Sequence, residues 1–159
     1  AEMDDPIARC HLSDDYTVRN GKAVLRLNRR TQREDECQAM APKGSKVVPA
    51  VADCPFLMSV YTGEDVVSTS IRVSGQWEPR ESTLIADLPE DSVFLDIGAN
   101  IGWHSLIALS LGHTVYAFEP LSENVDMLKH TMCLNPGLDS RLQLYTTAVS
   151  DSVTSSSGC

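Results

Sequence analysis

The sequence predicts an α/β, Rossmann-like fold, and three observations carry that prediction. Val93–Ile97 (VFLDI) is an almost wholly apolar run that enters a glycine-bearing turn, Gly98–Gly102. A helical segment and a second apolar run, Thr114–Phe118 (TVYAF), follow, and that run ends in Glu119. A second helix pattern leads into a third strand-like run, Leu142–Val149. Strands alternating with helices in this way read as a parallel sheet covered by helices.

Each element has a local reason. Apolar residues throughout Val93–Ile97 suit a strand covered on both faces. Trp103–Leu111 is read as a helix with Leu106, Ile107 and Leu111 on its buried face, and Gly112 stands where a helix C-cap belongs. Ser122 is placed to N-cap a helix that runs to about Leu134, with Val125, Leu128, Met132 and Leu121 as its apolar stripe. Asn135-Pro136-Gly137 closes it. Upstream, Pro79 fits the first turn of a helix whose face carries Leu84, Ile85 and Leu88 and which Pro89 stops. Phe56–Tyr61 and the β-branched Val66–Val73, joined by Thr62–Asp65, predict a β-hairpin within residues 56–77. Residues 1–55, broken by Pro42, Gly44, Pro49 and Pro55, read as an irregular extension with one short strand at Ala23–Leu27. The organisation expected is thus an extension over 1–55 and the N-terminal part of a nucleotide-type domain over 56–159, its βαβαβ unit at 92–149.

Composition narrows the function classes. The chain has 159 residues, a net charge of −9 and a pI near 4.8. That balance excludes a phosphate-backbone binder, which needs clustered cations, and Arg26, Arg29, Arg30 and Arg33 read as a solvated face. No apolar run approaches the ~18 residues of a membrane span. The five cysteines, Cys10, Cys37, Cys54, Cys133 and Cys159, show no CxxC spacing and so no zinc or thioredoxin-type motif. Three lie in the first third, which leaves room for one disulfide there and an oxidising compartment, or for free thiols. The compartment therefore stays open between cytoplasm and secretory lumen.

A strand, a glycine turn and a helix together build a nucleotide site. Gly98 and Gly102 allow a sharp turn close to a ligand. Asn100 tolerates a left-handed conformation and can hydrogen-bond its own backbone. Asp96, at the strand end, can orient the loop or meet a cationic ligand. Glu119, roughly 20 residues after the first glycine, is placed to hold both hydroxyls of a ribose. A dinucleotide fingerprint wants a glycine where Asn100 stands, and Asp96 would repel phosphates. An ammonium and sulfonium ligand without phosphate fits better, which favours S-adenosylmethionine over NAD. An NAD-dependent oxidoreductase and a non-catalytic binding module are the competing readings.

The segments FLDIGANIGWHSLIALSLG and VYAFEP resemble the FkbM-type S-adenosylmethionine-dependent methyltransferases, as do Asp65–Glu78, Asn124–Pro136 and Ala148–Asp151. The resemblance spans roughly residues 56–151. It implies a class I methyltransferase sandwich and methyl transfer to a hydroxyl oxygen of a small molecule or glycan. It also implies that Asp96, Gly98, Asn100 and Gly102 line the methionine end of the cofactor and that Glu119 binds the ribose. Pro120, Leu121 and Ala148 would border the adenine, and Glu78 would face the cofactor. A full domain of that family continues with further strands, so this chain is expected to be its N-terminal part. Without a fourth strand the first strand would keep an unpaired apolar edge. No catalytic base stands out. His104 and Trp103 flank the turn as helix N-terminal residues, and His11, His113 and His130 lack metal-ligand partners. Trp77 reads as a packing residue.

Overall fold

The computed structural model describes residues 10, 16–19, 22–25 and 32–151, so the basic cluster at Arg26–Arg33 and Cys159 lie outside what can be described in full. The element order is β1 (Tyr16–Arg19), β2 (Lys22–Leu25), α1 (Gln32–Ala39), β3 (Ser45–Pro49), β4 (Leu57–Tyr61), α2 (Val66–Ser74), α3 (Pro79–Ala86), β5 (Val93–Ile97), α4 (Trp103–Ser110), β6 (Thr114–Phe118), α5 (Ser122–Leu134) and β7 (Leu142–Tyr145). A short 3-10 turn, Asp139–Arg141, precedes β7.

Strands β5, β6 and β7 form a parallel sheet in that order, with Asp96 opposite Ala117 and Phe118 opposite Tyr145. The fold is the Rossmann-like α/β arrangement expected, with a hairpin ahead of it. The core collects Ile101, Leu106, Leu109, Val115, Ala117, Met127 and Leu128 from the turn, α4, β6 and α5, together with Phe56, Met58 and Val60 from β4.

The hairpin is built differently from the reading of residues 56–77. Strand β4 pairs antiparallel with β3, from inside the segment read as irregular, and Val66–Ser74 is a helix. Capping explains the difference. The Asp65 carboxylate accepts a hydrogen bond from the Ser68 N–H at 2.7 Å, and Gly75 closes the helix at φ 77. These end signals outweigh the strand preference of the β-branched residues between them. Strand β2 overlaps the short strand expected at Ala23–Leu27, while its partner β1 and helix α1 also lie within the segment read as irregular.

The free edge of β4 is satisfied by helix side chains. The Leu57 N–H donates to Asn135 Oδ1 at 2.9 Å, and Asn135 Nδ2 donates back to the Leu57 carbonyl at 2.7 Å. The Ser59 N–H donates to Thr131 Oγ1 and the Tyr61 N–H to Ser68 Oγ, each at 3.0 Å. Alternate residues of a strand present their N–H groups on one edge, so α5 and α2 here do the work of a neighbouring strand.

Other expectations need correction. Strand β5 is not covered on both faces, since Val93, Leu95 and Ile97 are 66%, 57% and 60% exposed. Among the described residues no strand pairs with its outer edge. Leu84 and Leu121 are exposed, and Ile85 alone of α3 is buried. Leu121, rather than Ser122, occupies the N-cap position of α5. Strand β7 ends at Tyr145, which leaves Ala148 in the exposed segment after it.

Two disulfides join the parts. Cys10–Cys54 lies within the first third, and Cys37–Cys133 ties α1 to α5 across 96 residues of sequence. A loop of that length gains about 4.7 kcal/mol from the cross-link in the chain-entropy model. Reduction is therefore expected to lower the calorimetric melting temperature by on the order of 10 °C, with Cys37→Ser reproducing most of the loss. Buried His130 supplies a pH dependence. Its Nδ1 lies 3.0 Å from Ser59 Oγ. Burial pushes its imidazole below the ordinary range, with a backbone hydrogen bond to Cys37 partly opposing. The unfolded chain then takes up the proton first, so this contribution is complete above about pH 6.5 and declines as pH falls below it. Urea midpoints should drop between pH 7 and pH 5.5, and by less in His130→Phe.

Candidate functional site

The site forms where β5 and β6 end and the chain turns into α4. Gly98 (φ 85), Asn100 (φ 53) and Gly102 (φ 94) all adopt positive φ, which folds the backbone tightly above the sheet. Asn100 manages this conformation as a side chain that can bond locally, accepting the Ile101 N–H on its own Oδ1 at 2.7 Å.

Every backbone N–H of the turn has a partner. Gly98 and Ala99 donate to the Phe118 carbonyl at 2.9 and 3.0 Å, and Gly102 donates to Ala99 at 2.8 Å. Asn100 donates to Glu119 Oε2 at 2.7 Å. A phosphate nest needs such groups free and converging, so this turn is not built as one.

The two glycines have different reasons. A Cβ on Gly98 would meet nothing within 4 Å, so the backbone there faces open space. A Cβ on Gly102 would stand 2.9 Å from Leu128 Cγ and Cδ1, so Gly102 lets α4 approach α5.

Glu119 is buried and holds the site together. Besides Asn100, it accepts the Leu121 N–H at 2.9 Å and Asn124 Nδ2 at 3.3 Å, both on Oε1. The Asn124 Oδ1 accepts from the Tyr61 hydroxyl at 2.9 Å. Burial, followed by the charge of Glu123, pushes the Tyr61 phenol above its ordinary range, so it stays a donor. Buried Asp96 accepts from Ser105 Oγ at 2.6 Å, which fastens the strand end to α4. The loop-orienting role considered for Asp96 thus falls in this geometry to Glu119.

Glu78 caps α3 in a left-handed conformation, φ 42, with its carboxylate 3.4 Å from His104 Nε2. Its helix is bolted to α4. Trp103 Nε1 donates to Ser82 Oγ at 2.9 Å, and Ser82 donates to the Glu78 carbonyl at 3.1 Å. Pro120, Leu121 and Ala148 are exposed. The Glu119 N–H donates to the Tyr145 carbonyl at 3.0 Å, so the segments carrying Pro120 and Ala148 leave the sheet from adjacent strands. Phe118 and Tyr145 stack there with centroids 4.8 Å apart.

Tyr61, Asn124 and Ser105 escaped the sequence reading. Asn124 had a signal, for it falls with Met127, Thr131 and Asn135 on a second helical stripe beside the Val125–Leu128–Met132 one. Nothing in the sequence pairs Tyr61 with it.

Solved structures similar to this chain include the following two. A SAM-dependent methyltransferase from Agrobacterium tumefaciens is 12% identical with a TM-score of 0.46, over 83% of this chain and 38% of its own length. PH0793 of Pyrococcus horikoshii, assigned as a transferase, is 17% identical with a TM-score of 0.50, over 92% of this chain and 60% of its own. The likeness to PH0793 is one of fold. No family model and no curated protein sequence matches the chain.

The glycine geometry predicts unequal costs. Gly102→Ala should destabilise by about 2–4 kcal/mol, combining left-handed strain with overpacking against Leu128. Gly98→Ala should cost only the strain, about 1 kcal/mol. Chemical denaturation of the two variants separates them.

Proposed function

We propose that this chain is the cofactor-binding part of a methyltransferase that uses S-adenosylmethionine. The observation that carries the reading is the buried Glu119 carboxylate at the end of β6, set beside a glycine turn whose N–H groups are all engaged. Such a site offers an acceptor for hydroxyl protons and few donors for phosphate, as a nucleoside ligand without phosphate requires. The open space at Gly98 leaves room for a ligand against the backbone. The FkbM-type resemblance of residues 56–151 points the same way.

In this reading Glu119 holds the ribose. Asp96, Gly98, Asn100 and Gly102 line the methionine end. Pro120, Leu121 and Ala148 border the adenine, and Glu78, its carboxylate 3.4 Å from His104 Nε2, faces the cofactor. The cofactor supplies an activated methyl group, and the protein's task is to align an acceptor with it. The acceptor we favour is a hydroxyl oxygen of a small molecule or glycan. The two disulfides favour an oxidising compartment as its working place.

Calorimetric titration tests the assignment. S-adenosylhomocysteine should bind the folded chain, NADH should bind far more weakly, and Glu119→Ala should weaken S-adenosylhomocysteine binding by at least tenfold, since hydrogen bonds to a charged group are the strong ones. Tighter binding of NADH, or unchanged binding by folded Glu119→Ala, would sink the reading.

A further inference from the structure

Helix α2 leaves one stripe of its surface without protein cover. Val66 and Val73, two turns and about 10 Å apart on one face, are 73% and 83% exposed. With Thr69, Ser70 and Trp77 they line a groove of about 590 Å³, and Glu64 and Asp65 stand at its far end. That volume lies in the range of small-molecule sites. Trp77 packs against the core and also lines the groove. Asp65 and Gly75 cap α2 at its two ends, so the groove wall is preformed.

The groove runs into the candidate site. Trp77 is followed by Glu78, whose left-handed backbone starts α3 and whose carboxylate stands 3.4 Å from His104 Nε2 on α4. Ser82 Oγ lies 3.3 and 3.1 Å from the Trp77 and Glu78 carbonyls and accepts from Trp103 Nε1 at 2.9 Å. This junction is therefore fixed to α4.

The lining decides what fits. Both of its hydroxyls are engaged within the protein. Thr69 Oγ1 accepts from Arg72 Nη2, and Ser70 Oγ donates to the Gln76 carbonyl, each at 2.9 Å. A sugar covered here would leave hydroxyls without partners, which is costly. The walls offer carbon contacts instead. Glu64 and Asp65 are the charged groups of the lining, while the Arg72 guanidinium is turned to the Tyr61 and Gly63 carbonyls. An anionic ligand is therefore repelled.

We propose that this groove receives the methyl acceptor, and that the acceptor is an apolar aromatic hydroxy compound without negative charge, not a glycan. The proposal rests on the methyltransferase reading above and narrows it. The hydroxyl lies at the Trp77 end, where Glu78 and His104 offer proton acceptors. The apolar body lies along Val73, Thr69 and Val66.

Calorimetric titration of the full chain with 4-phenylphenol, its 4′-carboxylate analogue and maltose tests this. 4-Phenylphenol should bind, the carboxylate about tenfold more weakly or worse, and maltose not measurably. Val73→Asp, at an exposed position, sets a charge in the middle of the groove and should weaken 4-phenylphenol by about tenfold. Val66→Asp, in the first turn where a carboxylate suits the helix dipole, should weaken it several-fold. Thermal melts confirm folding of both variants. S-adenosylhomocysteine should bind alongside 4-phenylphenol, and its affinity should be the same in both variants as in the wild type. Equal binding of the carboxylate, tighter binding of maltose, unchanged 4-phenylphenol affinity in the folded variants, or displacement of S-adenosylhomocysteine by 4-phenylphenol overturns the proposal. Absence of 4-phenylphenol binding beside normal S-adenosylhomocysteine binding overturns this proposal alone. Absence of S-adenosylhomocysteine binding by folded wild type overturns the cofactor reading and the acceptor role together.

Discussion

The hydrogen bonds into the Glu119 carboxylate join parts of the chain that would otherwise only lie near one another. Through Asn100 the carboxylate holds the glycine turn, through Leu121 it starts α5, and through Asn124 it reaches Tyr61 on β4. A buried charge is tolerated when hydrogen-bond donors surround it, and the surroundings then become rigid. The turn, the second strand end and the upstream hairpin consequently form one unit.

Helix α5 is the second organising element, because two of its faces are in use. Val125, Leu128 and Met132 lie among the apolar packing, with Gly102 admitting Leu128 at close range. Asn124, Thr131 and Asn135 satisfy the site and the edge of β4. Cys37–Cys133 then fastens α1 to the same helix. The segment before the βαβαβ unit is thereby part of the fold's architecture, attached by covalent and hydrogen bonds as well as by burial. The opposite face of the sheet, with Val93, Leu95 and Ile97, stays exposed.

Legibility in the sequence followed how local each cause was. Val93–Ile97 and Thr114–Phe118 could be placed to the residue, because each is an apolar run bounded by turn residues. The turn conformation of Asn100 was legible too, since its side chain bonds its own backbone. The Val66–Ser74 helix is hidden by its β-branched content, although its caps, Asp65 and Gly75, stand in the sequence, because end chemistry outweighs strand preference there. Strand β3 was missed because its partner, β4, lies beyond an intervening loop, and pairing is a long-range property. Cys37 and Cys133 could not be paired from spacing, since their approach depends on α1 meeting α5.

The sequence by itself determined the βαβαβ order, the glycine turn and the acid at the end of the second strand. Those features depend on period, steric freedom and position along a short stretch of chain. Only the tertiary structure decided what Glu119 is bonded to. Its partners come from residues that become neighbours when β4 packs on α5, and no periodicity encodes that meeting. The same packing decided that Gly102 serves the contact between α4 and α5, while Gly98 opens onto free space.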